Sequence, residues 1–223
     1  MGSEMCIRDR MKESARLLKK NRRWGNSLDG VFGVMDDARV LCADFVDSAT
    51  QNASFEGFTQ KVEVSNLFVF NFSGEMIHAA VNYPGSWHDS KIAIVSGLYR
   101  KLRTRTPAGM AILADTAFIS DTRKTLGRLV RSRKVNERRD IPLSTALNAI
   151  DILQQRAMPS ERQSAEWGVH GAKQPFGRYK RALPADSTRR LTMFSITCHL
   201  YNLRVRLVGR NQIQTVYSRR QRT

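Results

Sequence analysis

EVSNLFVFNFSGEMIHAAVNYPG, residues 63–85, holds two runs rich in β-branched and aromatic residues, 64–72 and 75–83, on either side of Ser73-Gly74. A glycine able to take positive φ between two such runs predicts an antiparallel hairpin. Upstream, VFGVMDDARVLCADF (31–45) is apolar around a pair of acids and reads as a buried strand interrupted by charge. QNASFEGFTQK (51–61) between them reads as a polar loop. Downstream, SWHDSKIAIVSGLYRKL (86–102) carries apolar residues at 92, 95, 98 and 102, the spacing of one helical face. GMAILADTAFIS (109–120) then reads as a short buried strand ending on Asp115. Beyond it, 121–141 is basic and poorly periodic, and STALNAIDILQQRAM (144–158) predicts a helix. SERQSAEWGVHGAKQPFGRYK (160–180) is helical up to Pro175, and TRRLTMFSITCHLYNLRVRLVG (188–209) predicts a last helix. Strand, hairpin, helix, strand and helices, in that order, describe an α/β chain: a mixed β-sheet flanked by helices, with a parallel crossover between the hairpin and the 111–115 strand.

The chain has 37 Lys and Arg against 20 Asp and Glu, a formal net charge of +17. A field of that sign concentrates polyanions, and nucleic acid is the commonest of these. No apolar run is long enough to span a bilayer, so a membrane partner is not expected. Cys6, Cys42 and Cys198 are too widely spaced for a disulfide framework or a zinc pattern and read as small buried hydrophobes. MCIRDR, at residues 5–10, resembles the translation of a transposon end sequence used to prepare sequencing libraries. Residues 1–28 are therefore read as an artefactual or partial N-terminal segment with a basic helix remnant, and 218–223 as a basic tail.

In so basic a chain the placement of acids carries information. Asp36 lies inside the first apolar strand, Asp115 ends the second, and Glu166 lies within a helix, where Arg162, Glu166 and His170 share one face. Ala165, Val169 and Ala172 form the opposed packing stripe, with Gly168 and Gly171 permitting close approach. Three converging carboxylates repel one another unless a cation lies among them, and oxygen donors without His or Cys suit Mg²⁺ or Mn²⁺. Plainer roles stay open and are favoured on spacing alone. Glu166 would pair with Arg162, Asp115 would cap a turn, and Asp36 would end a strand with Asp37 solvated.

GVMDDARV (33–40), QNASFEGFTQ (51–60), NYPGSWHDSKI (82–92), LADTAF (113–118) and RQSAEWGVHGAKQPFGRYK (162–180) occur in the order found in DDE superfamily endonucleases, the Harbinger-like transposase catalytic domains and their transposon-derived relatives in eukaryotic genomes. The likeness runs from about residue 29 to about 217. Its PGSWHDS and AEWG–FGR blocks are specific, whereas GVMDD alone is weak. The resemblance implies an RNase H-like fold over 29–217, in which Asp36, Asp115 and Glu166 hold two divalent ions, Mg²⁺ or Mn²⁺, for DNA cleavage and strand transfer. It also implies a nuclear protein, a separate DNA-binding accessory partner and the possibility of an oligomer. Two positions depart from the family pattern: Asp37 stands where glycine usually follows the first Asp, and ADTAF replaces a Gly-Asp-Ser-Gly-Tyr-like block. The alternative reading is accordingly a decayed or domesticated transposase that binds DNA without cutting it.

Asp89 sits in a family block outside the triad. Ser86 or Asp89 is expected to cap the 90–102 helix, with direct metal ligation by Asp89 as the auxiliary role. His88 is expected to pack or hydrogen-bond, and Trp87 and Trp167 to anchor the core. Basic residues in 123–139 and 177–181, Arg131, Arg133, Lys134, Arg178 and Lys180 among them, are expected to hold the DNA backbone without reading its sequence.

Overall fold

β3 (Lys61–Asn71) and β4 (Met76–Pro84) form the predicted antiparallel hairpin, turning through Gly74 at φ +87°. The computed structural model describes residues 2–20, 28–118, 122–132, 145–209 and 211–219. β3 is buried along nearly its whole length because both of its faces are covered, whereas β4 is half exposed at the sheet edge. β1 (Val31–Leu41) pairs antiparallel with β3 on one side and parallel with β5 (Ala111–Ala114) on the other. β6 (Leu129–Arg131) extends the sheet in parallel beside β5, and the two-residue β2 (Phe55–Glu56) pairs with the start of β3.

The resulting order, with β4 and β2 on β3, then β1, β5 and β6, is a mixed six-stranded sheet flanked by helices, compatible with an RNase H-like fold. The parallel crossover from the hairpin exists, but it passes over β3 and β1 before joining the sheet next to β1. Adjacency in sequence did not give adjacency in the sheet. A buried apolar strand such as β5, with no polar face, carries no mark of its neighbour.

Alternation along β1 and β3 sorts side chains into two cores. Val34, Phe68, Phe70 and Leu113 face α6 (Thr145–Lys173) and α7 (Ser187–Val208), with Ala157, Ala165, Ala172 and Tyr201 packed against them. Met35, Leu67, Val69 and Ile112 face α3 (Asp89–Val95) and α4 (Leu98–Arg105), meeting Ile92, Ala93, Leu98 and Leu102. Burying each large side chain of this kind contributes about 1.5–3 kcal/mol relative to exposure.

Three local expectations are corrected. Residues 51–54 of the expected loop belong to α2 (Ser48–Ser54), capped by the Asp47 carboxylate, which accepts from the Thr50 amide. The 86–102 stretch is two short helices broken at Gly97 (φ +73°), which leaves Val95 exposed although it shares the apolar spacing. The two helices expected between 144 and 175 are one, α6, continuing through Pro159. A proline inside a helix costs about 3 kcal/mol, and the buried Ala157, Met158, Glu161, Ser164 and Ala165 on both sides of it tie α6 down.

α1 (Gly2–Lys19) lies against β1, with α5 (Thr122–Thr125) and α8 (Gln212–Gln214) completing the helices. Ser14 of α1 donates to the Phe32 carbonyl and accepts from the Phe72 amide, joining the helix to β1 and the hairpin turn. Cys42 is buried and Cys198 half-buried, both free thiols; Cys42 serves as an acceptor for the buried Arg190 guanidinium at 3.3 Å. No helix among the described residues is long and apolar enough to cross a membrane.

Candidate active site

Register alone brings two of the acids together. Val34 of β1 is level with Leu113 of β5, and the strands run parallel. Asp36 and Asp115 each lie two residues further on, Asp36 midway along β1 and Asp115 just past the end of β5, both on the face covered by α6. The period of two that buries Val34 and Leu113 under α6 also aims these carboxylates at it. Thr116 closes the turn after β5, its amide donating to Asp115 Oδ1 at 2.6 Å, which leaves Oδ2 directed toward α6.

α6 delivers the third acid. Gly168 faces Phe70 so closely that a Cβ there would lie 2.6 Å from the ring, and Ala165 and Ala172 are fully buried on the same stripe. Lys173 fixes the end of the helix by donating to the Arg39 carbonyl at 3.1 Å. Glu161, fully buried, accepts from Tyr217, while the Ser164 hydroxyl lies 2.7 Å from the Tyr217 hydroxyl. With that face held down, the neighbouring face carries Arg162 and Glu166 over the middle of β1 and the end of β5.

The three acids meet at one guanidinium. Arg162 Nη2 lies 3.2 Å from Glu166 Oε1, while its Nη1 lies 3.8 Å from Asp36 Oδ1 and 3.9 Å from Asp115 Oδ2. The i to i+4 pair and the long-range convergence, which compete as readings of the sequence, are both present. Glu166 is half exposed, but it faces Asp36 and Asp115 across Arg162.

More negative charge adjoins the triad. Burial is the main cause that pushes the Asp36 carboxyl up to about 7, with the Asp37 carboxylate adding to it and Arg162 opposing. Asp37 is also raised by burial, against the pull of Arg39, whose Nε lies 3.7 Å from Asp37 Oδ2 and whose Nη1 lies 2.8 Å from Glu56 Oε2. Asp37 is thus a half-buried strand residue rather than a solvated one. Asp89 is pushed up to about 6 by burial and by Asp37, and its Oδ1 is buried without a hydrogen-bond partner. Among the described residues no group of three or more His, Cys, Asp or Glu is gathered tightly enough to grip one ion as it stands. The donor chemistry nonetheless fits Mg²⁺ or Mn²⁺: every candidate ligand is a carboxylate oxygen, one of them is orphaned, and the acids outnumber the Arg162 and Arg39 guanidiniums beside them.

This arrangement can be set beside known proteins. The sequence matches the DDE superfamily endonuclease family over residues 40–202, more than two thirds of the chain. The chain belongs to that family. Among curated proteins and solved structures no significant match exists. The matched span of this DDE superfamily endonuclease is shorter than the 29–217 expected from its motifs. It includes Asp89, Asp115 and Glu166 and begins four residues after Asp36, so the first acid stands on geometry: its place on the strand paired with β5 and its contact with Arg162.

Other expected residues fall as follows. The cap of α3 is His88, whose Nδ1 accepts from the Ser90 amide at 3.4 Å; Asp89 is the first helical residue, and the Ser86 hydroxyl donates instead to the Ala53 carbonyl. The capping role expected of Ser86 or Asp89 is therefore incorrect, because the helix begins at Asp89, one residue before the expected start at 90, and the cap falls on His88. Trp87 and Trp167 pack against the two cores, and Lys91 lies 3.8 Å over the Trp87 ring. Arg178 and Lys180 point outward from a short 3₁₀ turn (Gly177–Lys180), while Tyr179 between them turns inward to stack on Phe194. Arg131, at the end of β6, is half-buried and donates to the Ser132 carbonyl. Arg133 and Lys134 lie outside the described residues.

Sequence reasoning missed two things. Glu161 is the buried carboxylate of α6, and it anchors the helix. Arg162 was placed on the right face but given only a local partner. The signal available for Arg162 was its position one turn before Glu166 on a face already aimed at two acids.

Proposed function

We propose that this DDE superfamily endonuclease cuts DNA by metal-dependent phosphodiester chemistry, with Asp36, Asp115 and Glu166 holding the ions and with strand transfer as a second step at the same site. The observation that carries this reading is the meeting of three acids, remote in sequence, around one guanidinium between the middle of β1 and the end of β5. When bound, divalent ions supply the charge that activates an attacking hydroxyl and stabilises the departing oxygen. Asp36 is the least solvated of the three acids and gains most from a cation. Asp115 presents one oxygen while Thr116 holds the other. Glu166, half exposed, closes the site from the solvent side and leaves a way in for DNA. Asp89, with its orphaned buried oxygen and the repulsion it feels from Asp37, adds to the cation requirement. Arg178 and Lys180 hold the phosphate backbone, in the electrostatic, sequence-independent manner expected of a chain with net charge +17.

A nuclear location and a separate DNA-binding partner that selects the target belong to the same proposal, resting on the Harbinger-like motifs. The test is nicking of supercoiled plasmid in Mg²⁺ or Mn²⁺, with Glu166→Gln as the comparison. The expected result is metal-dependent nicking reduced about a hundredfold or more in the variant. Nicking that is indifferent to Glu166→Gln overturns the site assignment. A second reading, DNA binding without cleavage, draws on Asp37 and on the guanidinium lying among the acids. DNA binding by the wild type with no nicking in either metal would establish it.

A further inference from the structure

Among the described residues Arg162 contacts all three acids of the proposed site, and its geometry is unusual for a structural ion pair. Only the Glu166 contact, 3.2 Å, is near hydrogen-bond length; the contacts to Asp36 and Asp115 are 3.8 and 3.9 Å. A guanidinium that clamps a carboxylate does so with two short parallel bonds. At these longer distances it instead balances charge, spread over three acids rather than committed to one. It cannot shed its proton, so its charge is permanent. Its side chain is 30% exposed, so it can leave without disturbing the core. The helix beneath it is fixed by Glu161, Ser164, Ala165 and Gly168, so movement is confined to the side chain.

We propose that Arg162 is the internal counter-ion of the metal-free site: its guanidinium holds Asp36, Asp115 and Glu166 together, and divalent ions bind by displacing it. This inference rests on the metal-dependent reading above. A guanidinium and a divalent cation placed among the same three acids repel each other, so the two occupancies compete. A side chain that fills the position nine-tenths of the time weakens the apparent ion affinity about tenfold, because only the remaining fraction of molecules is competent to bind. Arg162 thereby sets the ion concentration at which the site loads, and it keeps the acids converged until then. The opposite role, an organiser that prearranges ligands without competing, predicts the opposite sign: its removal would loosen the acids and weaken ion binding.

The experiment measures Mn²⁺ binding to the full chain from loss of the free-ion electron paramagnetic resonance signal, in wild type, Arg162→Gln, Arg162→Lys, Asp36→Asn and Glu166→Gln. The expected result is affinity about tenfold tighter in Arg162→Gln, near wild type in Arg162→Lys, and much reduced in the two acid variants. Wild-type binding that the acid variants abolish, with Arg162→Gln equal to or weaker than wild type, overturns the inference while leaving the metal site standing. Binding that no acid variant affects overturns both. A wild-type measurement covers poor folding of Arg162→Gln: Mg²⁺ is titrated while the Arg162 side-chain ¹⁵N resonance, assigned by its loss in Arg162→Lys, is followed beside the Asp115 amide. The two are expected to shift with one midpoint, and an Arg162 signal that stays fixed while the Asp115 amide saturates overturns the proposal.

Discussion

Replacing Asp36 by Asn is expected to stabilise the metal-free protein at neutral and higher pH. Asp36 is only 13% exposed, and its carboxyl is pushed from the ordinary 3.8 up to about 7 by burial and by Asp37. A raised value means that the folded chain holds a proton the unfolded chain releases, so stability is greatest below about pH 4 and falls as pH rises toward about 7. At about 1.4 kcal/mol per unit, the full shift sets a ceiling of about 4 kcal/mol. Relaxation toward Arg162 and entry of water bring the realised cost to about 2 kcal/mol. Asn keeps the shape and removes the charge. For a chain of this size the gain raises Tm by about 4–8 °C. The assay is thermal unfolding in a chelator near pH 4 and near pH 8. The difference between Asp36→Asn and wild type should be present near pH 8 and absent near pH 4, and saturating Mn²⁺ should close it by stabilising wild type alone. A variant no more stable than wild type near pH 8 refutes the claim that this carboxylate lacks a sufficient cation.

Two further outcomes are expected. Gly168→Ala places a methyl 2.6 Å from the Phe70 ring on a helix that cannot retreat, and such overpacking costs about 1–3 kcal/mol; chemical denaturation should show a lower midpoint, and an unchanged midpoint would mean that α6 is not seated tightly on β3. Replacing Arg178 and Lys180 together by Ala should weaken DNA binding about equally for unrelated sequences and lower the slope of log K against log salt by about 2, measured by fluorescence anisotropy, with an unchanged slope excluding these two residues from the phosphate contacts.

The elements were legible where local chemistry suffices. The hairpin around Ser73-Gly74 follows from two β-rich runs and a glycine, α7 from a long helical stretch closed by Gly209 in the left-handed conformation, and the packing stripe of α6 from small residues at helical spacing. The proposed triad could be named from the sequence only with the help of the family motifs, since Asp36, Asp115 and Glu166 each have an innocent local reading. Gly97 and Pro159 misled in opposite directions: Gly97 broke a helix whose apolar spacing looked continuous, and Pro159 failed to break one. Tertiary packing outweighs local propensity at such points.

The sequence by itself determined β1, the β3–β4 hairpin and β5, the face of α6 that is buried and the excess of positive charge, because these depend on neighbours a few residues away, whereas the short edge strands β2 and β6 left no such mark. Only the tertiary structure decided that β5 lies beside β1, and hence that Asp36 and Asp115 come within reach of one side chain. It alone placed one guanidinium among three acids. Strand neighbours and long-range ion pairs are chosen by the packing of the whole sheet against its helices, and no local pattern in the chain records that choice.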